Sequence, residues 1–263
     1  MADHEFLHYC KTKGPRTEIW NVDCLEGLSY FEGDADLVFA DPPFNIGQDY
    51  EGDATEDDRK WGDYCQWTAE WLRLACGALK TDGSLWVNVP DAVAVSVIQA
   101  CEAWTWELED WCIWHYRFGQ CTDAHFIRSK THLLHFTSRY SHKPKWYPDQ
   151  IREPSVRQEM GDKRAKSEGR VPMDVWYGEN MGRVQGNNKE RRPLHPNQLP
   201  EKLLERIILS CTKEGDLVVD PFLGSGTTCV VARALGRESV GIEKSAAYCE
   251  SAWERLKKGA VRV

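Results

Sequence analysis

Leu217-Val218-Val219-Asp220-Pro221-Phe222-Leu223-Gly224-Ser225-Gly226-Thr227 decides the fold of this chain. A short apolar run stops at an acid and a proline, passes two glycines, and leads into a helical stretch from Thr227 to Leu235 with Gly236 as its stop. In open α/β sheets a ligand sits beyond the carboxyl end of such a strand. Gly224 and Gly226 let the backbone turn tightly and approach a ligand without a Cβ clash. The N–H groups that open the next helix favour polar or anionic ligand groups. The following run, Ser239-Val240-Gly241-Ile242, ends at Glu243, 17 residues after Gly226. An acid placed there can accept hydrogen bonds from both hydroxyls of a ribose. No Lys follows the glycines, so this is not a P-loop, and Cys229 stands where a dinucleotide fingerprint has its third glycine. The stretch indicates a nucleoside-containing ligand, with a purely structural Gly-rich turn as the competing reading.

Outward from it, strands and helices alternate, which indicates mostly parallel strands. Thr17–Val22 reads as a strand ending at Asp23. Asp36-Leu37-Val38-Phe39-Ala40 is continuously apolar after its first residue and fits a strand buried on both faces. It is stopped by Asp41-Pro42-Pro43-Phe44. Gly47 to Gly62 is acidic and polar: a solvated connector, or a cover that orders over a ligand. Tyr64, Trp67, Trp71, Leu74 and Ala78 recur at helical spacing, as core rather than ligand contacts. Ser84–Val89 is the next strand after an Asp82-Gly83 turn, and 91–103 a helix. Trp111–Tyr116 and His132–Thr137 read as two antiparallel neighbours. Helices are also expected from Glu201, with Leu203, Leu204, Ile207 and Ile208 on one face, and from Ala246 to Lys257.

Between Ser138 and Leu194 the character changes. Five prolines and many charges replace periodicity. A structureless loop this long is unusual in a compact domain, so an inserted subdomain or a binding arm is expected. From Ser138 to Arg192, 13 Lys and Arg outnumber 8 Asp and Glu, although the whole chain carries −8. A basic segment within an acidic chain suits a localised phosphate contact or, equally, a solvated loop. Arg139, Lys143, Lys145, Arg152, Arg157, Lys163, Arg164, Lys166 and Arg170 are candidates.

Composition excludes other classes. Hydrophobic residues at 41% are too many for disorder. No apolar run approaches the ~20 residues that span a bilayer, and no signal peptide opens the chain, so a cytoplasmic protein without a membrane partner is expected. The 10 cysteines lack Cys-x-x-Cys spacing, which argues for buried thiols and against a metal site.

Asp41-Pro42-Pro43-Phe44 carries chemistry. An exocyclic base amino group is a poor nucleophile because its lone pair is delocalised into the ring. A carboxylate accepting one N–H and a backbone carbonyl accepting the other draw that nitrogen toward a pyramidal geometry. Proline removes a competing donor and stiffens the turn. Phe44 can stack on the base, which must leave the duplex to be reached. C5-cytosine chemistry is disfavoured, since it needs a cysteine nucleophile and no Pro-Cys occurs.

The order Asp41-Pro42-Pro43-Phe44-Asn45, a basic region, His195-Pro196-Asn197-Gln198-Leu199-Pro200, then Asp220 to Thr227 resembles the β-class amino-DNA methyltransferases. The resemblance runs from about Ile19 to Leu256. It implies S-adenosylmethionine as cofactor, double-stranded DNA as partner, and a catalytic half that precedes the cofactor half. The implied fold is α/β, a Rossmann-like sheet, mostly parallel, of seven strands with one antiparallel. Residues 1–137 would form the catalytic half, 138–194 the target-recognition region and 195–263 the cofactor half. Asp41, Pro42 and Phe44 match the catalytic motif. Asp220, Phe222, Gly224, Ser225, Gly226 and Thr227 match the cofactor turn, Glu243 the ribose acid, Asp23 the acid near adenine, and Asn197 and Gln198 the segment closing over the methionine end. Arg128, Ser129 and His132 fall in the motif before the recognition region, but Leu133 replaces a frequent Glu, which puts a base-contacting His132 in doubt. His195 reads as a packing residue beside Pro196 rather than a base. The implied reaction is N6-adenine methylation, favoured by Asp before Pro42-Pro43. N4-cytosine methylation, an RNA substrate and a non-catalytic DNA-binding protein are the alternatives. A homodimer and a cognate restriction endonuclease remain open as partners, without an interface signal in the sequence.

Overall fold

The computed structural model describes residues 8–10, 14–47, 57–116, 122–192 and 194–263. In chain order they form β1 (His8–Cys10), β2 (Thr17–Asn21), α1 (Cys24–Leu28), β3 (Ala35–Ala40), α2 (Trp61–Ala78), β4 (Leu79–Val89), α3 (Asp91–Ala103), β5 (Trp106–His115) and β6 (Lys130–Ser138). A 3-10 turn at Pro148–Gln150, α4 (Val156–Glu159) and β7 (Val175–Trp176) follow. Then come α5 (Glu201–Cys211), β8 (Leu217–Asp220), α6 (Thr227–Ala234), β9 (Glu238–Glu243) and α7 (Ala246–Lys258).

The strands make one sheet in the order β1-β2-β9-β8-β3-β4-β6-β5-β7. The seven expected strands are present, with β6 antiparallel to both β4 and β5. Two short edge strands raise the number to nine: β1, antiparallel to β2, and β7, parallel to β5. Strands of two or three residues are too short to show a period. The pairing of β3 with β4 jumps from Ala35↔Leu79 to Leu37↔Ser84, so the Asp82-Gly83 turn lies inside an irregularity of β4 rather than before it.

β3 explains the layering. Its side chains alternate, Val38 and Ala40 packing with α1, α2 and α3, Leu37 and Phe39 with α5 and α6. All six of its residues are buried, as a strand covered on both faces requires. Each large apolar side chain so enclosed contributes roughly 1.5–3 kcal/mol. A third cluster joins Ile19 and Leu223 to Val230, Cys249 and Ala252 of α6 and α7.

The basic stretch is docked against the body over much of its length. Tyr147 N–H donates to Ser210 O (2.7 Å), and Gln150 Nε2 to Leu209 O and Thr212 O (both 3.0 Å), at the end of α5. Lys145 pairs with the fully buried Asp36 at the start of β3. Burial would raise the Asp36 carboxyl, but Lys145, the Leu217 N–H and Lys80 together hold it below the ordinary range. Trp176 packs on Trp86, with the Arg206 guanidinium 5.2 Å from its ring.

Candidate active site

β3 and β8 are parallel neighbours, with Leu37↔Val218 and Val38↔Val219 in register. From β3 the chain moves to β4 on one side; from β8 it moves to β9 on the other. The two strands therefore flank the point where the winding reverses, which is where open α/β sheets place the crevice that binds a ligand, at the carboxyl ends of the strands. Asp41 leaves one strand there and Asp220 ends the other. Turns about 180 positions apart in sequence thus leave the same ends of neighbouring strands.

The Asp41 carboxylate accepts from Asn88 Nδ2 of β4 at 2.8 Å. Burial pushes its pKa up to about 7; the Asn88 amide opposes that rise, Asp220 adds to it and Arg183 opposes it. The Pro43 carbonyl is held by Tyr64 Oη at 2.8 Å. Asn45 adopts φ +57°, and its side chain brackets Arg59, accepting from its N–H (2.7 Å) and donating to its carbonyl (3.0 Å). Asp57, fully buried, receives the N–H groups of Asn45 (2.6 Å) and Ile46 (3.3 Å). The segment from Asn45 to Arg59 is therefore fastened at its base. The acidic residues expected to cover the ligand lie partly at 48–56, outside the described residues.

The cofactor turn is anchored from several sides. Asp220 Oδ1 accepts from Phe222 N–H (2.9 Å), and Leu223 N–H donates to Ile242 O (3.0 Å). Burial also lifts Asp220 to about 7, against its bonds from Thr228 and Phe222 and with the Glu243 carboxylate adding to the rise. Gly224 and Gly226 hold φ +48° and +77°. A Cβ on Gly226 would stand 2.7 Å from Ala252 Cβ, so glycine is required for both conformation and close approach. Phe222 meets Trp67 and Trp71 of α2 edge-on, with centroids 5.7 and 5.2 Å apart. One helix therefore braces both turns, through Tyr64 and through these indoles.

Sequence reasoning missed the anchor beneath this turn. Arg255 of α7, fully buried, donates to Ser225 O (3.1 Å) and Thr227 Oγ1 (2.7 Å). It also pairs with the equally buried Glu201 of α5 at 3.0 Å. Glu201 Oε2 takes the Val261 and Arg262 N–H groups as well, both at 2.7 Å. The signal was present: Tyr248, Ala252, Arg255 and Leu256 share one helical face, all buried.

Glu243 accepts from Gly224 N–H through Oε2 (2.9 Å) and from Ser245 N–H through Oε1 (2.8 Å). Asp23 is exposed at the end of β2, the parallel neighbour of β9, and caps α1 by accepting from Leu25 N–H at 2.9 Å. Asn197 Oδ1 accepts from Arg183 at 3.2 Å, and that guanidinium lies 5.1 Å from the Tyr116 ring. Gln198 points elsewhere. It is buried, accepting from Arg192 N–H (2.9 Å) and donating to Glu190 O (2.8 Å), so its side chain braces the backbone before α5.

The other candidate histidine and basic positions are placed by their contacts. His195 packs on Tyr248 (4.9 Å), and a Cβ on Gly224 would stand 2.6 Å from its Nε2. Burial, helped by Arg255, lowers its pKa to about 4, so it is a neutral packing residue. His132 bonds Trp111 Nε1 (2.7 Å) and Asp91 Oδ1 (2.7 Å), tying β6 to α3, while Arg128 is exposed in the loop before it. Among the basic candidates, Arg139, Arg152, Arg164 and Arg170 pair with nearby acids, and Lys145 is committed to Asp36. Lys143, Arg157, Lys163 and Lys166 make no ion pair among the described residues.

The donor set fits S-adenosylmethionine. Two carboxylates at adjacent strand ends, Asp23 and Glu243, suit the amino and hydroxyl donors of an adenosine, and the glycine turn with the Phe222 ring beside it leaves backbone close to the crevice. A half-buried carboxylate one strand away from a glycine turn that suits a nucleoside is the arrangement that an amino-methyltransferase requires. The chain belongs to the N6/N4 DNA methylase family, whose model, described as DNA methylase, matches residues 35–254. It is similar to type II methyltransferase M.HpaI of Haemophilus parainfluenzae, 33% identical over 236 residues that cover 89% of this chain and 71% of that protein. Among solved structures it resembles PvuII DNA methyltransferase (cytosine-N4-specific), with TM-score 0.71 and 18% identity over 98% of this chain and 92% of that one. It also resembles the M1.HpyAVI–SAM complex, with TM-score 0.61 and 20% identity over 91% and 100% of the two chains. The protein is a DNA methyltransferase with S-adenosylmethionine as its cofactor. Among the described residues no helix is long and apolar enough to cross a membrane, and no cluster could hold a metal ion.

Proposed function

We propose that this protein methylates the exocyclic N6 of adenine in double-stranded DNA, acting on a base turned out of the duplex. The observation that carries the reading is Asp41, half-buried at the end of β3, one strand away from the cofactor turn. Bound S-adenosylmethionine supplies a methyl group on a sulfonium. Asp41 as carboxylate accepts one N–H of the amino group, and the carbonyl of Pro42 accepts the other. The nitrogen lone pair is thereby freed from conjugation and aimed across the crevice. Phe44, half-buried on the same turn, stacks on the base. Asp23 and Glu243 hold the adenosine, Phe222 to Thr227 shape the turn, and Asn197 closes the methionine end.

Residues 138–194 would read the duplex, with Lys143, Arg157, Lys163 and Lys166 as phosphate contacts because no acid among the described residues holds them. The type II name of M.HpaI supports a cognate restriction endonuclease as partner. The homodimer remains an expectation from the family resemblance.

Asp41→Ala is expected to lower methyl transfer by about 10³-fold, the scale of losing one aligned group in the transition state. Cofactor affinity, measured by calorimetry, is expected to stay within severalfold. Undiminished activity in that variant defeats the reading. Mass spectrometry of nucleosides from treated DNA tests the base: N6-methyladenine supports the proposal, and N4-methylcytosine alone replaces it.

A further inference from the structure

Asn88 is the one polar residue in the stretch Leu85-Trp86-Val87-Asn88-Val89, all of which is buried. It lies opposite Leu133 of β6 and is 1% exposed. Folding alone would favour an apolar residue there. Its Nδ2 donates to Asp41 Oδ1 at 2.8 Å, whereas its Oδ1 is buried without a partner among the described residues. An orphaned buried acceptor is costly. Turning the amide over would set Oδ1 against a carboxylate oxygen, so the orphan is what remains once Nδ2 is committed to Asp41. The bond is also the only side-chain hydrogen bond that Asp41 makes among the described residues.

We propose that Asn88 is a positioning residue: its amide fixes the Asp41 carboxylate in the rotation that leaves Oδ2 facing the crevice to accept the N–H of the target amino group. This rests on the reading of Asp41 given above. The amide also favours the ionised form. Asp41 faces Asp220 from β8 and Arg183 from the recognition region, besides Asn88 from β4. Burial and Asp220 oppose ionisation, and Asn88 and Arg183 support it. Without the amide, Arg183 alone would support the charge, and the carboxylate would form only at higher pH.

Asn88→Leu removes the amide and the orphaned acceptor together. Asn88→Asp keeps the shape and sets a second carboxylate against Asp41. For both, kcat/KM is measured from pH 5.5 to 9.5, because its pH dependence reports the free enzyme. Thermal melting and calorimetric cofactor binding are recorded alongside. The acid limb of the unaltered enzyme is expected near pH 7. In Asn88→Leu it moves to higher pH, with about a tenfold loss at pH 6.5 that shrinks toward pH 9. Asn88→Asp moves it further, and cofactor affinity stays unchanged in both. A limb that coincides with that of the unaltered enzyme, or a loss equal at every pH, overturns the proposal. Asn88→Asp decides the matter if the leucine variant does not fold. Asp41→Ala separates the two ideas: if it remains active, the reading of Asp41 falls; if it is inactive while the Asn88 variants keep their limb, only the role of Asn88 falls.

Discussion

From Asp220 to Thr227 every residue but Phe222 is buried, whereas from Asp41 to Gly47 only Pro42 is. The two turns end neighbouring strands and serve one crevice, yet they are held by different means. The cofactor turn sits on a buried Arg255–Glu201 pair and two crowded glycines. The catalytic turn is tied by hydrogen bonds alone, Asn88 to Asp41, Tyr64 to Pro43 and Asn45 and Ile46 to Asp57, and runs out to exposed Ile46 and Gly47. The difference teaches where rigidity is placed. On the reading proposed above, the cofactor would meet the buried turn, and the more open turn would be the one that admits a nucleotide still attached to a duplex.

The contrast can be broken at its base. Arg255→Met leaves Glu201 buried without its ion partner and is expected to destabilise the chain by about 3–5 kcal/mol. Urea unfolding would measure this, and a loss under 1 kcal/mol would remove the claim that the pair holds the turn. Next in size is a matched glycine pair. Gly224→Ala places a Cβ 2.6 Å from His195 Nε2 at φ +48° and should cost about 1–3 kcal/mol, with at least tenfold weaker cofactor binding. Gly47→Ala, at φ +71° with nothing within 4 Å, should carry only the backbone penalty of about 1 kcal/mol and leave cofactor binding alone. Equal effects would erase the distinction between the turns.

The smallest effect concerns pH. Asp220 has a folded pKa of about 7 against an ordinary value of 3.8. The folded chain therefore binds a proton between those values that the unfolded chain does not, and stability is lost as pH rises through that window. Asp220→Asn keeps an acceptor for Thr228 and Phe222 without the charge. It should raise Tm at pH 8.5 by about 3 °C and change it little at pH 4. A gain of the same size at both pH values would contradict the assigned burial of charge.

The turns were legible because their chemistry is punctuated locally. Pro42-Pro43 and Gly224-Ser225-Gly226 each interrupt an apolar run, and the alternation of strands and helices indicated a mostly parallel sheet, whereas the strand order shows that the two runs are neighbours. β6 against β5 was legible from two adjacent apolar runs. What escaped was fixed by partners distant in sequence. Lys145 looked like a phosphate contact until Asp36, 109 positions away, claimed it. Gln198 looked like a ligand residue until Glu190 and Arg192 took both ends of its amide. Asn88 was visible as a polar residue in an apolar strand, but only the fold shows which carboxylate it serves. Arg183 carried no pattern at all.

The aromatic face of α2 has an optical consequence. Trp67 lies edge-on to Phe222 in the cofactor turn, while the Arg59 guanidinium sits 4.4 Å above its ring at the foot of the catalytic turn. Indole emission responds to nearby charge and ring displacement, so this side chain is an intrinsic fluorophore wired to both halves of the crevice. With 12 tryptophans in the chain, comparison with a Trp67→Phe variant would assign any ligand-dependent change in emission to this side chain.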